Sequence, residues 1–182
     1  MKNFLVLYYS KTGNSKFIAE KLSKELWCPT KKITPMIDNI ALLFLLSLLR
    51  MNIPTNITDE DIQEYDEVIL LGPIWGGLVV SPLRTVIKKC ARASKNIHFA
   101  VTCETKDEDK HKKYGSSQVL KKASDLGGKY VKNTAAFSTS LVYSDNPSWS
   151  PKLSEKIKLT EDNYKGVLMS RVQNYASKIK AT

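Results

Sequence analysis

Phe4-Leu-Val-Leu-Tyr-Tyr-Ser-Lys-Thr-Gly-Asn-Ser-Lys-Phe-Ile-Ala19 is an apolar run that stops at Ser10, becomes a small polar loop, and passes at once into helical spacing. The run Phe4 to Tyr9 is aromatic and β-branched enough for a buried strand. Ile18, Ala19, Leu22 and Leu26 then recur as one face of a helix. A loop so placed aims the unpaired N–H groups of a first helical turn at whatever sits above the strand end. Those donors and the helix dipole suit a phosphate dianion. Ser10, Thr12 and Ser15 add hydroxyls, Asn14 adds an amide, and Gly13 lets the backbone come close. The same residues would also serve as a plain helix-capping turn.

The rest of the chain repeats the alternation. Pro29 to Pro35 is expected as a short strand, with Lys31 and Lys32 at its centre. Residues 36–50 form an apolar helical segment, unbroken from Ala41 to Leu49, expected to be covered by protein on more than one face. At well under the roughly 20 residues of a membrane span, it does not cross a bilayer. A dimer contact, a membrane-surface anchor or an apolar wall beside the active site are its alternatives to a sheet-covering helix. Asn52 to Asp61 is expected as a polar connection and Asp66 to Gly72 as the next strand. Ser81-Pro82 is expected to open a helix, as N-cap and first-turn proline. Asn96 to Thr102 is the fourth strand, Glu104 to Lys113 a charged loop, and Tyr114 to Leu126 a helix closed by Gly127-Gly128. Tyr130 to Val142 supplies a fifth strand, and Ser144 to Pro151 a turn-rich connection. Thr160 is expected to cap the last helix. Strands alternating with helices imply a doubly wound parallel sheet in a three-layer α/β/α domain spanning residues 1–182.

Composition closes several doors. The chain has 182 residues and a formal charge of +10, a balance met either by solvated lysines or by an acidic partner surface. No recognition motif supports nucleic acid. Cys28, Cys90 and Cys103 are odd in number and lack C-x-x-C spacing, which favours a reducing, cytoplasmic setting over a disulfide framework. No metal-ligand spacing occurs, no Gly-x-Ser-x-Gly turn is present, and the chain enters its first strand without a signal-peptide pattern. Gly-x-Gly-x-x-Gly and the Gly-Lys-Ser/Thr ending of a nucleotide loop are also missing.

Together with Gly72-Pro-Ile-Trp-Gly-Gly77, the opening stretch resembles the flavodoxin-like family. The resemblance implies FMN as cofactor, with its phosphate in the loop Ser10, Lys11, Thr12, Gly13, Asn14 and Ser15. It implies that Pro73, Ile74, Trp75, Gly76 and Gly77 lie along the isoalloxazine, with Trp75 offering a π-face. It also selects the strand order 2-1-3-4-5, in which the first and third strands bracket the switch point where ligands lodge. Thr102 and Cys103 are neighbours of the ring edge by position. The loop that follows departs from the family, because no aromatic lies between Thr102 and Tyr114, leaving the second ring face open or covered from elsewhere. An electron carrier or small reductase is implied, exchanging electrons with a redox partner protein or a small acceptor such as a quinone. Two alternatives stay open: a membrane-surface, quinone-coupled enzyme resembling protoporphyrinogen oxidase, and a flavin-free binding module that meets an acidic partner.

Overall fold

Each residue of β1, Phe4–Tyr8, is buried, and its side chains leave alternately for two separate cores. Leu5, Leu7 and the following Tyr9 join one; Phe4, Val6 and Tyr8 join the other. A strand apolar on both faces needs helices above and below it, and the chain supplies them. The computed structural model of the protein describes residues 2–143 and 157–182; the connection expected at Ser144 to Pro151 lies outside them.

The strands are β1, β2 (Thr30–Lys32), β3 (Glu67–Trp75), β4 (Leu78–Val79), β5 (Asn96–Cys103) and β6 (Val131–Ser138). Five run parallel in the order β2-β1-β3-β5-β6, and β4 pairs antiparallel with the end of β3 alone. Setting that two-residue strand aside, the order is the expected 2-1-3-4-5; with it, the sheet has six strands. Helices α1 (Asn14–Leu26) and α6 (Gly166–Ala181) cover one face. Helices α2 (Ile40–Leu48), α3 (Asp59–Gln63), α4 (Ser81–Arg92) and α5 (Ser116–Gly127) lie on the other. The fold is therefore the doubly wound α/β/α sandwich that the alternation demands.

Several expectations change in detail. β3 does not end at Gly72 but runs on to Trp75. β1 stops pairing with it at Tyr8 and Leu71, whereas β5 follows it to Pro73 and Thr102. Pro73 thus occupies a stretch of strand that has lost one neighbour, where a missing N–H costs little. The polar connection at 52–61 leads into α3, capped by a reciprocal pair: Thr58 Oγ1 accepts from the Asp61 N–H, and Asp61 accepts from the Thr58 N–H. Tyr114 precedes α5 instead of opening it, and Lys165, not Thr160, holds the N-cap position of α6. β6 gives way after Ser138 to a 3-10 turn, Thr139–Tyr143.

The largest departure is α2. It is not sheathed by protein: only Leu43 and Ser47 are buried, while Ile40, Phe44, Leu45 and Leu48 are 57%, 42%, 48% and 56% exposed. The one polar residue of the run faces inward. Ser47 Oγ donates to Leu43 O at 2.6 Å and accepts the Ser81 N–H at 2.9 Å. That second bond explains another correction. Ser81 is the first helical residue of α4, and the cap position belongs to Val80, whose side chain makes no cap bond. Ser47 satisfies an otherwise orphaned first-turn donor from a neighbouring helix.

Candidate FMN-binding site

A cavity of about 400 Å³ opens at the carboxyl ends of β1, β3 and β5, within the size range of small-molecule sites. Of the residues singled out in the sequence, Thr12, Asn14, Pro73, Ile74, Trp75, Gly76, Gly77, Thr102 and Cys103 form its walls. Ser10, Lys11, Gly13 and Ser15 stand behind them.

The first loop is built by internal bonds. Ser10 Oγ accepts the Gly13 N–H at 3.1 Å. Gly13 takes φ 98°, a left-handed conformation that admits glycine without strain, and α1 starts at the next residue. Among the described residues, the N–H groups of Asn14 and Ser15 find no acceptor, leaving the positive end of α1 open at the cavity. Ser15 is spoken for elsewhere, its hydroxyl bonded to Thr102 Oγ1 at 2.7 Å. Asn14 also turns to the protein: its amide donates to Ile157 O at 2.8 Å and accepts the Leu159 N–H at 2.9 Å. Lys11 pairs with Asp38, just ahead of α2.

The second loop is a tight hairpin from β3 to β4. Gly76 and Gly77 take φ 55° and 70°, and each meets a neighbour where a side chain would stand. A Cβ on Gly76 would lie 3.4 Å from the Phe44 ring of α2, and one on Gly77 3.0 Å from the Tyr114 Cα. Trp75 is half-buried, edge-on to Tyr9 with centroids 5.8 Å apart, which fixes the indole at the cavity. Tyr9 is buried, and its hydroxyl has no hydrogen-bond partner among the described residues. Burial, then the charge of Asp38, raises its phenol far above the ordinary range.

Glu104 and Thr105, from the charged loop expected after the fourth strand, also line the cavity, and so do Tyr114 and Thr139, which sequence reasoning missed. Tyr114 matters most. It is 58% exposed and reaches the cavity from the far end of the loop after β5. Its signal was present, as the first aromatic after the fourth strand, but helical spacing absorbed it into α5. The acids of this loop are largely neutralised: Arg171 grips Asp107 through two nitrogens at 3.0 and 2.5 Å, and Lys112 meets Asp109 at 2.6 Å. The Arg171 hydrogen bonds hold the Asp107 carboxyl below its ordinary value. Glu104 has no such partner among the described residues and stands exposed on the cavity wall. Burial pushes the Cys103 thiol up to about 11, so it sits there as a neutral, unreactive group.

No protein-family sequence model matches the chain, and no curated protein matches it in sequence. Solved structures do match in shape. A flavoprotein from Lactobacillus acidophilus NCFM, in complex with FMN, superposes with a TM-score of 0.60 at 18% identity, covering 78% of this chain and 97% of that one. A flavodoxin from Streptococcus pneumoniae TIGR4 gives 0.52 at 12% identity, covering 98% and 97%. Oxidised flavodoxin 2 from Bacillus cereus gives 0.52 at 13%, covering 98% of both chains. The protein has the flavodoxin-like fold.

Proposed function

We propose that this protein binds FMN in the cavity at the strand ends and acts as an electron-transfer flavoprotein. One observation carries the reading: an open helix N-terminus and a pair of large aromatic rings share the walls of one cavity at the switch point of the sheet. The N–H groups of Asn14 and Ser15, the Thr12 hydroxyl and the remaining O–H of Ser10 would hold the phosphate. Trp75 and Tyr114 would flank the flat ring system, and the Gly76–Gly77 backbone would approach its edge. Thr102 and Cys103 would line the far side of the ring. When bound, FMN supplies one- and two-electron chemistry. The chain's own part is to orient the ring, shield it from water and set the field around it. Glu104 is the wall's exposed carboxylate and disfavours negative charge on the ring; the paired Asp107 and Asp109 contribute less.

Titration of the purified chain with FMN and with riboflavin tests this reading. Tight FMN binding and weaker riboflavin binding support it; no binding of either leaves a flavin-free module. Anaerobic reduction then separates two roles. A carrier is reduced by dithionite but not directly by NADH or NADPH, whereas a reductase takes electrons from one of those nucleotides without a partner. The half-exposed Phe44 ring, which lies against Gly76 at the cavity, favours a second, narrower reading of the acceptor as a lipophilic small molecule such as a quinone.

A further inference from the structure

The apolar face of α2 and a cationic hollow at its end belong to one surface. Ile40, Phe44 and Leu48 stand one turn apart on the exposed side, flanked by Leu45 and Leu49, and Met51 follows at 49% exposure. Contiguous apolar exposure of this kind marks an interaction surface. Where α2 ends, Arg50 turns into a left-handed conformation with φ 56°. There a hollow of about 340 Å³ is lined by Arg50, Arg84 and Lys122, with Asp125 on the same wall. Lys122 donates to Gly77 O at 2.8 Å. Arg84 is not matched: among the described residues no carboxylate pairs with it, and its Nε is buried without a hydrogen-bond partner. Burial and the like charge of Arg50 both act against its proton. An anion in the hollow would relieve that arrangement.

We infer that α2 is a membrane-surface anchor: its leucines enter the acyl boundary of an anionic bilayer while Arg50, Arg84 and Lys122 hold lipid phosphate groups. The length fits. Nine residues rise about 14 Å, less than half of a hydrocarbon core, so the helix lies in the plane of the interface and does not cross it. No helix among the described residues is long and apolar enough to cross. Charge decides between occupants. A second copy on this face would oppose one arginine pair to another on chains that each carry +10, whereas an anionic lipid surface attracts both. Because the Phe44 ring lies against Gly76, docking through α2 holds the cavity mouth beside the bilayer. The inference does not depend on the cofactor; it rests on α2 and the hollow alone.

Flotation of the full chain with vesicles of phosphatidylcholine, with or without phosphatidylglycerol, tests it. Binding to the anionic vesicles, weaker binding to the neutral ones, and release by salt are expected. Leu45→Gln combined with Leu48→Gln should abolish flotation without moving the thermal midpoint, since both side chains are exposed. Arg50→Gln should cost about five-fold, the effect of one basic residue near such a surface. Failure of the wild-type chain to float, or flotation unchanged by these variants, overturns the inference. So does a dimer in sedimentation velocity that the leucine changes dissociate, which would give the face to a second copy. Saturable binding of inorganic phosphate without flotation would make the hollow a site for a free anion and would likewise overturn it. FMN titration of the same variants should match the wild type, so failure here and failure of the flavin reading remain distinguishable.

Discussion

Ser15 Oγ and Thr102 Oγ1 lie 2.7 Å apart in the interior, one in the first turn of α1 and the other near the end of β5. The two residues are 2% and 5% exposed, and their bond joins the phosphate-loop helix to the strand across the cavity. Removing one hydroxyl leaves the other buried without its partner, which costs about 1–3 kcal/mol. Ser15→Ala and Thr102→Val should each lower the denaturation free energy by that amount. The double variant should lose less than the sum of the two, because no orphan remains. Denaturant melts of the three variants measure the coupling, and strict additivity would show that the hydroxyls do not interact.

The phosphate loop makes a different demand. Thr12→Ala removes a hydroxyl from the cavity wall, and Ser10→Ala removes both a donor and the acceptor that shapes Gly13. Hydrogen bonds to a charged group are worth about 1.5–3 kcal/mol, so each change should loosen FMN by about tenfold or more. Riboflavin, which lacks the phosphate, should be affected much less. Paired fluorescence titrations decide the matter; equal losses for both ligands would place the phosphate elsewhere.

Trp75 and Tyr114 should behave in the opposite way. Both rings are expected to meet the flavin ring and neither its phosphate, so Trp75→Ala and Tyr114→Ala should weaken FMN and riboflavin alike. Stacking contributes about 0.5–1.5 kcal/mol beyond burial, several-fold in affinity at the least. Tyr114→Phe keeps the π-face and should bind as the wild type does. Quenching of bound-flavin fluorescence reports which ring makes contact. A Tyr114→Ala variant with unchanged affinity would leave that face of the ring open.

Where the sequence was legible, period explains why. β1 is apolar at each position from Phe4 to Tyr8 and needed only its length to be read, and the helical spacing of Ile18, Leu22 and Leu26 placed α1. The stretch from Ala41 to Leu49 could not be resolved in this way, because a helix apolar at nearly each position has no preferred side. Its orientation is marked by a tertiary bond instead, Ser47 to the Ser81 N–H, with the serine and Leu43 turned inward and Leu45 and Leu48 left outside. The site divides along the same line. Trp75 closes β3 and Thr12 lies in the short loop between β1 and α1, so their place at the cavity could be read locally. Tyr114 arrives from the end of a loop, where spacing along the chain does not report distance in space. Asn14 was legible as a cavity residue but not as a tie to Ile157 and Leu159, a contact made with a segment more than a hundred residues away.

At the opposite end of the sheet, Glu67 and His98 form a buried pair whose bonding dictates how the fold responds to acid. Asn133 Nδ2 donates to His98 Nδ1 at 3.1 Å, so His98 Nε2 carries the proton and donates to Glu67 Oε2 at 2.5 Å. Burial lowers the imidazole from its ordinary value, with the charges of Lys2 and Lys132 adding to it, and together they outweigh the opposing pull of Glu67. Burial also acts to raise the Glu67 carboxyl, but bonds from Lys2, His98 and Asn96 outweigh it and hold the carboxyl low. Both depressions have the same sign. An unfolded histidine gains its proton below about pH 6.5 while the folded one resists, so stability falls as pH drops through that point. The slope for this group is at most about 1.4 kcal/mol per pH unit. Glu67 adds a second loss beginning below about pH 4.3, the unfolded carboxyl's range, and completed as pH falls through the lower folded value. In urea melts from pH 7.5 to pH 5, the proton uptake on unfolding should rise from near zero toward at most about one for this group. His98→Gln, which can still donate to Glu67, should flatten that slope; an unaltered slope would assign the acid sensitivity to other groups.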